Sequence, residues 1–133
     1  MRNAVEPARL YPSHPSIFPK VRAFLHQQAT EAGLGSQATQ DLILAVCEAC
    51  ANSLRHTISP HIRLTWRLQP QAVEVLVEDE GIFRTRAAVL DGGEANGAGL
   101  GIPLMVAMTD EFSIRQGTEQ FPGTLVRLVK YRS

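Results

Sequence analysis

Excess charge of either sign is missing from this sequence. Over 133 residues, 13 Lys+Arg stand against 13 Asp+Glu, a formal net charge of zero at neutral pH. That balance argues against a strongly basic nucleic-acid-binding surface. No apolar run approaches the roughly 20 residues that a membrane-spanning helix needs. The Met1-Arg2-Asn3 start carries no apolar stretch of the kind that opens a secretory signal. These lacks lead us to expect a cytoplasmic protein with no membrane and no direct nucleic-acid partner. Cysteine is scarce: Cys47 and Cys50 are the two present. Their C-x-x-C spacing raises zinc or redox chemistry. Zinc needs about four ligands, there is no second pair, and His56 and His61 follow on in poor tetrahedral geometry. A redox pair belongs at a helix N-terminus, whereas these fall mid-helix, so buried structural cysteines are expected. At 44% apolar the chain is ordinary for a globular protein. Its length fits one domain, residues 1–133.

The breakers divide the chain. Four of the eight prolines (Pro7, Pro12, Pro15 and Pro19) fall near the start. That stretch reads as extended chain with turns, including an edge strand over Ala4–Leu10. Ser13 or Ser16 is placed to cap a first helix near Pro15–Ala32. Val21, Phe24, Leu25 and Ala29 recur there at helical spacing, and Gly33-Leu34-Gly35 is its stop. Ser36 is a good N-cap for a second helix over Gln37–His56. In it Leu42, Ile43, Val46, Cys50, Ser53 and Leu54 share one stripe, and Glu48, Asn52 and Arg55 lie opposite. After a break at Thr57–Pro60, Arg63–Leu68 alternates around Leu64, Trp66 and Leu68. Ala72–Glu78 alternates around Val73, Val75 and Val77. With Pro70-Gln71 between them, the two predict an antiparallel hairpin. A short helix near Thr85–Leu90 and a flexible glycine-rich loop come next. Leu100–Met108 reads as a helix with Pro103 in its first turn. Asp110–Arg115 and Leu125–Lys130 read as closing strands joined by Gly117–Gly123. There is no internal repeat, low-complexity tract or linker.

Three local patterns carry chemistry. Glu48-Ala-Cys-Ala-Asn52 sets a carboxylate and an amide at i and i+4, on one helix face. A carboxylate accepts a proton, and an amide oxygen is a hard ligand for Mg²⁺. A solvated helix face is the bland reading of the same residues. Val77-Glu78-Asp79-Glu80-Gly81 ends a strand in a carboxylate able to accept from a ligand amino group. Gly81 follows and allows close backbone approach, although Asp and Gly are also ordinary turn residues. Gly97-Ala98-Gly99-Leu100-Gly101 leads directly into a helix, where exposed N–H groups and the positive dipole end favour phosphate. It is neither a Walker A loop nor a dinucleotide fingerprint. A flexible linker is its bland alternative.

In this order the patterns resemble the GHKL (Bergerat-type) ATP-binding domain: E-x-x-x-N on a helix, D-x-G at a strand end, G-x-G into a helix. Gly123-Thr124 is similar to the late Gly-Thr of that family. The short length and the Leu104–Phe112 helix-into-strand resemble the anti-sigma factor serine/threonine kinases. The resemblance covers roughly residues 8–130. It implies a two-layer α/β sandwich of histidine-kinase-like ATPase type, with helices on one face of a mixed, mostly antiparallel sheet. It implies ATP and Mg²⁺ as cofactors. Position by position, Asn52 holds Mg²⁺, Asp79 and Gly81 receive the adenine with Thr124 nearby, and Gly97, Gly99, Leu100 and Gly101 face the phosphates. Glu48 is then the general base for a serine hydroxyl. Such a sparse set suffices, because phosphoryl transfer needs mainly positioning and charge neutralisation. The implied partners are an anti-sigma antagonist protein and a sigma factor, with a homodimer by family analogy. Arg55, Arg84 and Arg86 are phosphate contacts or solvated charges.

The sequence departs from the family pattern in one place. Phe83 stands where D-x-G-x-G has its second glycine. The Arg84–Asn96 segment is also short, has no lysine and contains Glu94. A non-catalytic nucleotide- or partner-binding module on the same fold is therefore the alternative. An unrelated α/β domain with structural glycines and acids, which predicts no nucleotide binding, is the third reading.

Overall fold

The alternating apolar residues in the middle of the chain build the sheet. The computed structural model describes residues 6–81, 101–115, 120 and 122–132. Strands β1 (Ala8–Pro12), β2 (His61–Leu68), β3 (Ala72–Asp79), β4 (Glu111–Arg115) and β5 (Thr124–Tyr131) form one sheet of order β1-β2-β3-β5-β4. Every described pairing is antiparallel. Helices α1 (Phe18–Ala32), α2 (Ser36–His56) and α3 (Gly101–Met108) complete the sandwich, with α1 and α2 contributing to the core on one face of the sheet. The expected two-layer fold and the β2–β3 hairpin are both present. The hairpin pairs Leu64 with Val77 and Trp66 with Val75.

Period-two alternation places three cross-strand rows on the helix side. One row is Trp66, Val75, Leu128 and Phe112; the next is Leu64, Val77, Val126 and Ile114. The third ends in polar groups: Ile62, Asp79 and Thr124. Leu42, Ala45, Val46, Ala49 and Cys50 of α2 are buried within the same core. Asp79 thus continues an apolar row, which is why it ends up buried beneath the helix layer.

On the opposite face β3 carries Glu74, which is only 4% exposed. A buried carboxylate needs charged partners. Arg127 bonds it directly, and Arg67, its register partner across β2, approaches to 3.6 Å. Arg127 also reaches Glu111 at 3.2 Å, and the Tyr131 hydroxyl donates to Glu111 at 2.9 Å. This bond to a carboxylate pushes the Tyr131 hydroxyl above its ordinary pKa.

Several boundaries differ from the sequence reading. The edge strand is Ala8–Pro12, later than Ala4–Leu10, and its Pro12 lies at the strand end, where a missing N–H is tolerated. Neither Ser13 nor Ser16 caps the first helix. A 3-10 turn over Pro15–Ile17 precedes α1, and its cap is His14, whose Nδ1 accepts from the Ser16 N–H at 3.0 Å. Ser36 is already inside α2. Gly35 is the N-cap, and its carbonyl accepts both the Thr39 N–H at 2.9 Å and the Thr39 hydroxyl at 2.8 Å. The glycine stop is as read: Gly33 has φ 72°, and the Leu34 N–H closes on the Ala29 carbonyl at 3.0 Å. The helix expected over Thr85–Leu90 lies outside the described residues. Among the described residues no helix is long and apolar enough to cross a membrane.

Leu64 is fully buried at the centre of the rows. Leu64→Ala is expected to lower the unfolding free energy by about 2–5 kcal/mol, read as a shifted urea midpoint at unchanged slope.

Candidate functional site

Two clusters meet on consecutive residues of α2. The first gathers around Asp79 at the end of β3, where the side chain is 7% exposed. Its Oδ2 accepts the Ser53 hydroxyl at 2.5 Å and the Thr57 hydroxyl at 3.2 Å. Its Oδ1 accepts the Gly81 N–H at 2.9 Å. Ser53 and Thr57 are i, i+4 neighbours at the end of α2, so one helix turn presents both hydroxyls to one carboxylate. Gly81 is needed for a steric reason. A Cβ there would stand 2.1 Å from the Ile58 carbonyl oxygen. The Gly81 carbonyl in turn accepts the Gly123 N–H at 3.1 Å and the Thr124 hydroxyl at 3.4 Å. Thr124 lies directly opposite Asp79 in the β3–β5 register.

The second cluster gathers around Asn52, one residue before Ser53. The N-terminus of α3 rests on it. A Cβ on Gly101 would come within 2.9 Å of Glu48 Oε2 and 3.1 Å of both Asn52 amide atoms. A side chain there would have to push those two groups aside. Arg55 ties the pair from the solvent side, donating to Glu48 Oε2 at 3.0 Å and to Asn52 Oδ1 at 2.9 Å. Asn52 is 4% exposed, while the Glu48 and Arg55 side chains are 23% and 44% exposed. The bland reading of Asn52 as part of a solvated helix face is therefore corrected: it lies opposite the apolar stripe and is buried all the same. Helical periodicity records the sheet-facing side of α2, and α3 covers a second side. At the far end of α3, Lys130 Nζ bonds the Met108 carbonyl at 3.1 Å and Asp41 of α2 at 3.3 Å. A cation there suits the negative helix terminus.

Between the clusters lies a cleft lined by Asn52, Ser53, Asp79, Ile114, Thr124 and Val126. Its volume is about 10 Å³, close to the room one water needs. A larger cleft of about 340 Å³ lies at the other end of β2, by Gln28, Glu31, Trp66 and Leu68, and holds none of the predicted site residues.

The structure thus brings together Glu48 with Asn52 and Gly101, and Asp79 with Gly81 and Thr124. Gly97, Gly99 and Leu100 lie outside the described residues, as do Phe83, Arg84, Arg86 and Glu94. Ser53, Thr57 and the Arg55 bridge were not assigned roles in the sequence reading. Ser53-x-x-x-Thr57, two hydroxyls one turn apart after Asn52, was the signal that could have found the Asp79 clamp. Cys47 and Cys50 are free thiols within α2, half-buried and buried. Burial pushes both thiols up, Cys50 the further. Among the described residues no group of His, Cys, Asp and Glu is arranged to hold a metal ion by itself.

A family model described as histidine kinase-like ATPase domain matches residues 11–130. No curated protein matches the chain. A solved structure of the RsbU and RsbW domains of Rv1364c from Mycobacterium tuberculosis is similar at TM-score 0.70 and 20% identity, over 97% of this chain and 33% of that one. The chain thus spans about a third of that protein's solved length. The Acinetobacter baumannii histidine kinase AdeS is similar at TM-score 0.55 and 12% identity, over 98% of this chain and 70% of that one. Both likenesses speak to the fold.

The two glycines predict different failures. Gly81→Ala pushes a Cβ into backbone and is expected to cost about 1–3 kcal/mol or more. Gly101→Ala meets only side-chain ends, which swing aside, so its melting temperature stays nearer the wild type. Thermal unfolding followed by circular dichroism ranks them. The two thiols are expected to resist alkylation at pH 8, Cys50 longer than Cys47, and to react together on unfolding.

Proposed function

The chain belongs to the histidine kinase-like ATPase domain family, and from that premise we propose that it is an ATP-dependent serine/threonine protein kinase. It acts as an anti-sigma factor or related regulatory switch, with residues 1–133 as a single ATP-binding kinase-like domain. The family supports ATP-dependent phosphotransfer in general. The finer reading is supported by one observation above all: Gly101, at the start of α3, lies directly against Glu48 and Asn52. A helix N-terminus brought onto a carboxylate and an amide is an arrangement suited to a phosphate chain.

In this reading Asp79 accepts a hydrogen from the adenine amino group, with Gly81 and Thr124 beside it. Gly97, Gly99, Leu100 and Gly101 supply the phosphate-facing backbone. The Asn52 amide oxygen is a hard oxygen donor, the kind Mg²⁺ selects, so Asn52 fits that ion as its ligand. Bound there, Mg²⁺ neutralises charge on the phosphates. Glu48 is the general base, taking the proton of a substrate serine hydroxyl as its oxygen attacks the terminal phosphorus and ADP leaves. Arg55 occupies Glu48 in this structure, so the base is free only after the guanidinium moves. The substrate is an antagonist protein bearing the serine, a sigma factor is the competing partner, and the kinase forms a homodimer. Motif order and the Leu104–Phe112 helix-into-strand support the antagonist and sigma-factor assignments, and family analogy alone supports the homodimer.

Phe83 favours a second reading, a nucleotide- or partner-binding module without transfer. Calorimetric titration with ATP, with and without Mg²⁺, tests the common part. Magnesium-dependent binding is expected, with Asn52→Ala weakening the magnesium-dependent component and Glu48→Ala binding as tightly as wild type. No binding up to millimolar ATP overturns the reading. With a partner recovered by pull-down, radiolabelled ATP should mark serine using the wild type and not Glu48→Ala. Equal labelling by both would remove Glu48 as the base.

A further inference from the structure

The cleft of about 340 Å³ at the far end of β2 holds none of the residues assigned so far, and its size is that of a small-ligand site. Two polar groups line it that the fold has buried without using. Trp66 is 3% exposed and Gln28 is 9% exposed. Among the described residues, neither the Trp66 indole N–H nor the Gln28 side-chain amide has a hydrogen-bond partner. Buried groups of these kinds normally find one, because leaving them unmade costs free energy. Here both front the same cleft.

The rim of that cleft is acidic. Glu31 lies three residues after Gln28, on the same side of α1, and Glu6 lies just before β1. Arg67 Nε stands 3.1 Å from Oε2 of Glu6, which leaves Oε1 of that carboxylate. Glu31 Oε2 accepts the Gln27 amide at 3.4 Å, and no described ion pair reaches Glu31. Arg132, at the same end of α1, is committed to the carbonyls of Ala32, Gln69 and Pro70. Leu68, an exposed side chain, adds apolar surface beside the carboxylates.

We propose that this cleft binds an arginine side chain presented by a partner peptide. A guanidinium has five N–H donors and no acceptor, which suits two carboxylates with oxygens to spare. Its apolar stem covers Leu68. The peptide carbonyls next to the stem accept from the indole N–H and the Gln28 amide. A free amino acid would instead bring its own carboxylate up to Glu6 and Glu31. The cleft lies at the opposite end of β2 from Asp79, so the proposal does not depend on the kinase reading.

Trp66 is the sole tryptophan of the chain, so its fluorescence reports on this cleft. The probe is N-acetyl-arginine amide, and its neutral isostere N-acetyl-citrulline amide is the control. The arginine probe is expected to shift Trp66 emission saturably with a Kd of about 1 mM, the strength open to a ligand of that size. The citrulline probe should bind about tenfold more weakly. Glu31→Gln, an exposed and conservative change, should weaken the arginine probe by about fivefold to tenfold and remove most of its advantage over citrulline. Gln28→Leu should weaken both probes alike, because the amide faces the part they share. A linear, unsaturating response overturns the proposal, as does equal binding of the two probes. Unchanged affinities in both variants also overturn it. Tighter binding of free L-arginine than of the capped amide overturns the assignment to a peptide.

Discussion

A carboxylate buried between a helix and a sheet has to be satisfied, and the Ser53 hydroxyl 2.5 Å from Asp79 is the bond that does it here. The cost of an unpaired buried charge is large enough that the groups around it cannot be placed independently. The end of α2 must stand over the end of β3 for Ser53 and Thr57 to reach Asp79. Because Asp79 extends the row of Val73, Val75 and Val77, that requirement coincides with apolar packing along the rest of the helix. Polar and apolar demands therefore select the same helix position.

The same helix then sets the second cluster. Asn52 precedes Ser53, so fixing one fixes the other, and α3 is laid against Asn52 at its Gly101 end and tied to α2 through Lys130 and Asp41 at the other. One end is governed by steric closeness and the other by charge. Arg55 bridges Glu48 and Asn52 while itself remaining largely exposed. Exposed ion pairs contribute little to stability, so this bridge matters as an occupant of the site more than as a brace.

Much of this was legible in the sequence because it is periodic. Val73, Val75 and Val77 alternate, Val21, Phe24 and Leu25 repeat at helical spacing, and Gly33 stops α1 where a left-handed residue is needed. The order of Glu48/Asn52, Asp79/Gly81, Gly101 and Thr124 was readable as a motif series, and the fold brings these residues together in two neighbouring groups. Helix starts were less legible. Ser13, Ser16 and Ser36 are good caps by type, yet His14 and Gly35 hold those positions, since cap identity depends on where the preceding chain enters. The burial of Asn52 was invisible to a single periodicity, because it comes from α3, distant in sequence. Ser53 and Thr57 were hidden by their ordinariness: two hydroxyls one turn apart mark a pair, but do not name the partner 26 or 22 residues away.

Gly81 and Gly101 seat the two clusters by contacts of different kinds. A methyl at Gly81 would have to displace the Ile58 backbone, whereas one at Gly101 would have to displace only the ends of the Glu48 and Asn52 side chains. In mechanical terms, the Asp79 cluster is clamped against main chain and the Asn52 cluster rests on a compliant pad. The helix that joins them is therefore stiffly held at one residue and adjustable at the next.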